Sequence, residues 1–476
     1  MNQKFIRNLL LISGIFFSAI ILTDSSGCAV IIPPTGGPRD TLPPVLVGAD
    51  PQNFALNFTG NKIVFTFNEY VDLKEVHENL VTSPVPKSDP SVEVKLKTIT
   101  VRLKDTLRPN TTYSLNFGKA IRDINEGNIL KNFTYIFSTG SYVDSMEFSG
   151  RVLLAETGKR DSTLIVMLHT KTDDSAVAKE RPRYFTRLDS AGNFRFRYLR
   201  PGTYAIYALK DESGLKEYTS KSQLFAFSDT PVVVQPNYTP VLLYAYNDTT
   251  GSVKHPKKTA AKPAAPAKKQ EEKKRLVVQS NLENGLLDVL GNLIIGFQTP
   301  LKFFDSSKVR FTDEKFNDLS QYRFELDTTM KRITMHYKWA MDTRYYLIAS
   351  KEFAEDTLGD RLLKTDTISF HTKRESDYGS LRLRFLNLDL KKNPVLEFIQ
   401  SDQIKKTYVF GSSNIFFDKL FLPGDYELRI LYDENKNGKW DPGEFFGKHK
   451  QPEIVQAIKQ KLTVKSDWEN EFDINL

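Results

Sequence analysis

Residues 420–444 read LFLPGDYELRILYDENKNGKWDPGE. An apolar run meets the turn Pro423-Gly424-Asp425. A strand follows with Tyr426, Leu428, Ile430 and Tyr432 on one face and Glu427, Arg429 and Leu431 on the other. A loop dense in oxygen-bearing side chains closes the stretch. Upstream, residues 199–214 read LRPGTYAIYALKDESG, so that Pro201 answers Pro423, Tyr204 answers Tyr426 and Asp211 answers Asp433. Self-similarity of this kind marks a duplicated chain, with this element in the second module of each half.

Outward from these two strands, Asn, Asp, Gly and Pro recur between short runs rich in Val, Ile, Phe and Tyr. That pattern predicts an all-β, multidomain chain of tandem β-sandwiches. With 476 residues and 12% aromatics, several real cores can be filled. The net charge of +8 suggests nucleic acid only until it is located. Residues 254–275 hold nine Lys and Arg against Glu271 and Glu272, so the rest is nearly neutral. Residues 248–275, DTTGSVKHPKKTAAKPAAPAKKQEEKKR, therefore read as a disordered basic linker, and no nucleic-acid partner is expected. Tryptic cleavage between Lys254 and Arg275 is expected to leave two stable halves.

At the other end, Lys4 and Arg7 precede the apolar run Leu9 to Leu22, too short to span a bilayer comfortably, and then Ser25-Ser26-Gly27-Cys28. Cys28 is the only cysteine. The segment resembles a bacterial lipoprotein signal peptide, helical over residues 1–27, whose cleavage leaves Cys28 as a lipidated N-terminus. Ser25 stands where Leu, Val or Ile is usual. The resemblance implies an outer-membrane lipoprotein joined to the membrane by its lipid. The residues after Cys28, Ala-Val-Ile-Ile, carry no acidic cluster, which favours the periplasmic face over the cell surface. Residues 28–44 read as a tether.

Between Val45 and Gly140 alternation gives about seven strands, among them Ile63, Phe65 and Phe67 on one face and Tyr113, Leu115 and Phe117 on another. The pieces IVFTFNEYVDL, LRPNTTYSLNF, AIRDINEGN and YIFSTG resemble the SbsA-type bacterial Ig-like domain, on Leu107, Pro109, Thr112, Tyr113, Asp123, Gly127 and Asn128. That resemblance implies an Ig-like sandwich over 45–140, with Tyr113 tying down a corner. Residues 146–247 resemble transthyretin-like or carboxypeptidase-regulatory-like sandwiches through their Pro-Gly-x-Tyr turn, and Ser190–Asn193 reads as a hairpin turn. Residues 276–373 repeat the Ig-like module in degenerate form, with Asp356 at the place of Asp123 and the Pro-Asn corner lost. Residues 378–476 repeat the transthyretin-like module.

The strongest site signal is residues 433–444. Asp433, Asn435, Asn437, Asp441 and Glu444 place side-chain oxygens at positions 1, 3, 5, 9 and 12, Lys439 offers its carbonyl at 7, and Gly438 sits at 6. That is the spacing of a Ca²⁺ loop, here entered from a strand instead of a helix. A polar hairpin loop has a similar composition. Asp followed by Ser or Thr and then a small or apolar residue or Thr recurs at Thr41, Thr106, Ser145, Ser162, Ser175, Ser190, Thr249, Thr328, Thr357 and Thr367. This resembles the O-glycosylation sequon of Bacteroidota, although Asp and Thr also share turns. The six histidines are scattered, and no nucleophile elbow, zinc helix motif or phosphate loop occurs. No catalytic residues are assigned. The expected role is non-enzymatic: adhesive, structural or partner-docking in the cell envelope. The alternatives are a glycan-binding module for polysaccharide capture, with Tyr218, Trp440, Phe445 and Phe446 as an aromatic platform, and an accessory subunit of an outer-membrane assembly or transport complex.

Overall fold

The computed structural model describes residues 39–247 and 275–476. The signal segment, Cys28, most of the tether, the linker up to Lys274 and Thr249 lie outside the described residues. The chain divides into two units, Met1–Asp144 and Ser145–Leu476. Nearly all regular structure is strand. The α-helices among the described residues, Val76–Asn79 and Ala176–Lys179, are one turn each, too short to stand without the strands around them.

The first unit holds one sandwich. One sheet runs in the order Leu46–Asp50, Lys62–Phe67, Thr98–Arg102, Ser91–Lys95; the facing one is Val81–Ser83, Thr112–Asn116, Thr134–Ser138. Val71–Leu73 pairs with Ile121–Asp123 at one end. These nine strands exceed the seven that alternation suggests because three of them span only three residues, too few to display a period. Ile63, Phe65, Phe67, Leu115, Phe117, Tyr135 and Phe137 fill the interior. Each large apolar side chain buried this way contributes about 1.5–3 kcal/mol.

The second unit holds three more sandwiches, with a small separate cluster of Val395, Leu431 and Val455 on the fourth. The second sandwich pairs Met146–Leu154 antiparallel with Asn193–Leu199 and parallel with Val241–Ala245. Its other sheet runs Tyr184–Arg187, Ile165–His169, Gly202–Leu209, Phe225–Phe227, with Val232–Val234 on the start of Gly202–Leu209. The fourth sandwich has the same order: Gly379–Leu386 between Ile415–Phe421 and parallel Glu469–Asn475, facing Gln403–Val409, Pro394–Gln400, Gly424–Tyr432, Ile454–Ala457, with Leu462–Val464 on the start of Gly424–Tyr432. In both, the turn tyrosine bonds back four residues: Tyr204 donates to the Arg200 carbonyl at 2.9 Å and Tyr426 to the Leu422 carbonyl at 3.0 Å.

Ser190–Asn193 is a tight turn, with Gly192 N–H donating to the Asp189 carbonyl at 3.0 Å, but not a hairpin. The strands on either side belong to opposite sheets. Turn chemistry is local; which sheet each strand joins is decided by where its apolar face can be buried.

The third sandwich follows the first. Val278–Ser280, Leu293–Phe297, Arg332–His336 and Arg323–Leu326 face Leu286–Leu287, Asp366–Thr372, Arg344–Ala349 and Val309–Asp313, and Leu301–Phe304 pairs with Ala354–Asp356. The corner survives the loss of its Pro-Asn residues. In the first sandwich Tyr113 Oη accepts from Arg108 N–H at 2.8 Å, and Thr139 Oγ1 accepts from Thr111 N–H at 3.0 Å while donating to the Arg108 carbonyl at 2.7 Å. In the third, Tyr345 Oη accepts from Ala340 N–H at 3.3 Å, and Thr372 Oγ1 accepts from Thr343 N–H at 2.9 Å and donates to the Ala340 carbonyl at 2.6 Å. The brace uses backbone groups at the corner, so the side chains there are free to change.

Candidate cation loop and the seam beside it

Strand Gly424–Tyr432 delivers Asp433 to the loop with its side chain buried. Its carboxylate accepts from Asn437 N–H at 3.2 Å and Gly438 N–H at 2.7 Å, which coils the loop back on its first residue. Gly438 takes φ +76°, a region that costs a β-carbon-bearing residue free energy. Asn435 Oδ1 accepts from Asn437 N–H at 3.0 Å, and Asn437 Oδ1 from Lys439 N–H at 2.7 Å. Both Asn amide nitrogens donate to Asp441 Oδ2. Asp433, Asn435, Asn437 and Asp441 are thus tied into one loop.

Glu444 is not among them. Its backbone bridges Lys450, and its carboxylate pairs with Lys448 Nζ at 2.7 Å, which holds it below the usual carboxylate range. The residue that closes the loop is Glu453. It is buried, its Oε1 accepts from Glu434 N–H at 2.9 Å and its Oε2 from Asp441 N–H at 3.0 Å. Burial raises its pKa, with these N–H donors pulling the other way. The register that pairs Tyr432 with Ile454 carries Glu453 to the loop mouth. Sequence spacing within residues 433–444 cannot show that; a prediction of the strand after the loop would have.

As donors, the carboxylates of Asp433, Asp441 and Glu453, the two Asn oxygens and the Lys439 carbonyl fit a hard cation in kind. In this arrangement the Asn435 and Asn437 amides turn nitrogen toward Asp441, and a cation requires them to turn oxygen instead. Among the described residues no group of three or more His, Cys, Asp or Glu side chains is gathered as a metal cluster.

The remaining aromatic candidates sit elsewhere than on a platform. Trp440 is half-buried, its Nε1 donating to the Glu453 carbonyl at 2.7 Å. Tyr218 and Phe445 are buried, and only Phe446 is exposed. They belong to a seam between the second and fourth sandwiches. Phe445 lies 4.9 Å from the Phe227 ring, 5.1 Å from Phe225 and 5.7 Å from Tyr207. His449 Nε2 meets Asp174 Oδ2 at 2.6 Å, and Gln451 Nε2 donates to Asp229 Oδ1 at 2.8 Å. Further along, Val455 N–H donates to the Ala155 carbonyl at 2.9 Å, and Lys159 reaches Asp402 at 3.0 Å and Glu427 at 3.3 Å. Ile165–His169 is buried at every position, and its sheet neighbour Tyr207 is the residue that meets Phe445. The seam also buries Glu397, opposite Arg429 in register; burial pushes this carboxyl up to about 7, Arg429 pulling it down and Glu156 adding to the rise.

Of the Asp-Ser/Thr positions, Thr41, Thr106, Ser145, Ser162, Ser190, Thr328, Thr357 and Thr367 are exposed and Ser175 is half-buried. The preceding Asp is often a turn former: Asp40, Asp161, Asp189 and Asp356 each accept the N–H two residues on. Turn chemistry therefore accounts for part of the recurrence.

No curated protein matches the chain. Solved structures similar to it include the Bacillus anthracis TIE protein, at 10% identity over 93% of this chain and 75% of that one, TM-score 0.17. The N-terminal part of the bacterial S-layer protein SbsC matches at 19% identity over 43% of this chain and 44% of that one, TM-score 0.16. BcpA, the major pilin subunit of Bacillus cereus, matches at 8% identity over 69% of this chain and 99% of that one, TM-score 0.16. Residues 40–139, the first sandwich with its Tyr113 corner, match the bacterial Ig-like domain family.

Proposed function

We propose that the chain is a non-enzymatic lipoprotein of the bacterial cell envelope, of Bacteroidota type, with an adhesive, structural or partner-docking role. It is built as a duplicated pair of Ig-like and transthyretin-like sandwiches and is anchored in the outer membrane, on the periplasmic face, by lipid on Cys28. The observation that carries the reading is the repeat of strand order and of individual braces between the sandwiches, with the first matched to a bacterial Ig-like family. Such a chain offers repeated rigid surfaces. A pull-down from envelopes in mild detergent, through a C-terminal tag, tests the role: stoichiometric recovery of an envelope protein supports docking, and recovery of the bare chain at all salt concentrations overturns it. Cys28→Ala should move the protein from salt-washed membranes to the soluble fraction; a variant that still pellets removes the anchor.

The loop of Asp433, Asn435, Asn437, Lys439 and Asp441 takes Ca²⁺ in this reading, with Glu453 in the closing place expected for Glu444. Trp440 within the loop supplies an optical reporter. Tb³⁺ luminescence excited through tryptophan, competed by Ca²⁺ and lost in Asp433→Ala but kept in Glu444→Ala, supports the site. Absence of sensitised emission in metal-free protein ends it. The exposed Asp-Thr sites serve as O-glycan acceptors; unmodified peptides spanning Thr41, Thr328 and Thr357 from the native host would rule that out.

A further inference from the structure

We infer that the segment Gly443–Pro452 of the fourth sandwich and the aromatic face of the second form a self-recognition interface that holds without the covalent linker. The duplicated halves are then a complementary pair, not two independent bodies on a string. To the expectation that cleavage in the linker leaves two stable halves, this adds that the halves stay together.

The contact has the anatomy of a specific interface. Its centre is one aromatic anchor, Phe445, 2% exposed and enclosed by Tyr207, Phe225 and Phe227. Directional polar contacts surround the anchor: Gln451 to the Phe227 carbonyl at 3.2 Å and to Asp229, His449 to Asp174, and the Val455 to Ala155 backbone bond. An anchor in a dry pocket ringed by polar contacts is the arrangement in which a few residues carry most of the affinity. Both partners are also shaped for close approach. A β-carbon on Gly443 would lie 2.7 Å from the Tyr246 ring as well as from Lys450 O of its own segment, and one on Gly158 would lie 2.8 Å from both Val455 O and Ala457 N. The three nearest atoms such a β-carbon on Gly158 would meet all belong to the fourth sandwich, while the φ of +62° there favours glycine independently of them.

The test uses the full chain with a site-specific protease sequence placed between Pro263 and Pro266. After complete cleavage, size-exclusion chromatography at about micromolar protein should show one species containing both fragments. Two separately eluting, folded fragments would overturn the inference. Phe445→Glu should weaken the association about thirtyfold or more, as loss of a central anchor does. Because that variant could also disturb the fourth sandwich, Gly158→Asn provides the second arm. Asn tolerates the φ of +62° found there, yet its β-carbon still meets Val455 and Ala457. Separation of the fragments in Gly158→Asn, with far-UV circular dichroism unchanged, supports the interface. Association as tight as in the parent sequence in both variants refutes it.

Discussion

The first and third sandwiches share a strand order, apart from the added edge strand Leu286–Leu287 in the third, and the same Tyr–Thr corner, yet their interiors are filled differently. In the first, Phe65 sits 5.8 Å from Phe117, 5.2 Å from Phe133 and 5.0 Å from Tyr135, a cluster of four rings between the sheets. The register places Ile295, Ala349, Asp366 and Ile368 at those four positions in the third. All four line a small apolar cavity there, together with Phe304, Phe324 and Phe353. Aromatic volume lost from two sheets has been only partly restored from other strands. The brace is the part that repeats, because it is made by hydroxyls with backbone groups. The packing diverges, because several sets of apolar side chains can fill one space at similar free energy.

Four measurements would break or sharpen this contrast. The largest effect is expected from Phe117→Ala, which gives the first sandwich the third's residue. It should cost about 3–5 kcal/mol in urea unfolding of the first unit. A loss below ~1 kcal/mol would mean that the four-ring cluster is not what holds the sheets together. Next, Thr139→Val and Thr372→Val should each cost about 1–3 kcal/mol, since each strands the Thr111 or Thr343 N–H. Unequal losses, read by hydrogen exchange in Thr112–Asn116 and Arg344–Ala349, would show that the shared geometry is not shared energetics.

A third effect concerns the other pair of sandwiches, where only the fourth buries a carboxyl like Glu397. Its pKa of about 7 in the fold lies above the ordinary carboxylate value. The stability it contributes is therefore full below about pH 4.5 and is lost as pH rises through 7. Glu397→Gln should add about 1 kcal/mol above pH 8 and little at pH 5, with Arg429 limiting the gain. A pH-independent difference in melting temperature would exclude this role. The smallest effect is Ala349→Leu, which begins to refill the third sandwich's cavity and should gain about 0.5–1 kcal/mol in local exchange protection. Destabilisation would mean that the cavity walls have already closed too far to admit it.

The strands Lys62–Phe67, Arg344–Ala349 and Gly424–Tyr432 were legible because a pleated backbone sends alternate side chains to opposite faces, so one buried face writes a period of two into the sequence. The coil of residues 433–441 was legible for a similar reason: Asp433 binds N–H groups four and five residues on, and Gly438 permits the turn. Glu453 was not, because strand register brings it there from outside the loop. Phe445 and Tyr218 were misplaced on an exposed platform because a short aromatic stretch carries no period to say what covers it. Local alternation and turn chemistry follow from covalent geometry acting over a few residues, and the sequence alone determined them. The seam, the loop's closing carboxylate and the filling of each core depend on which distant surfaces meet, and only the tertiary structure decided those.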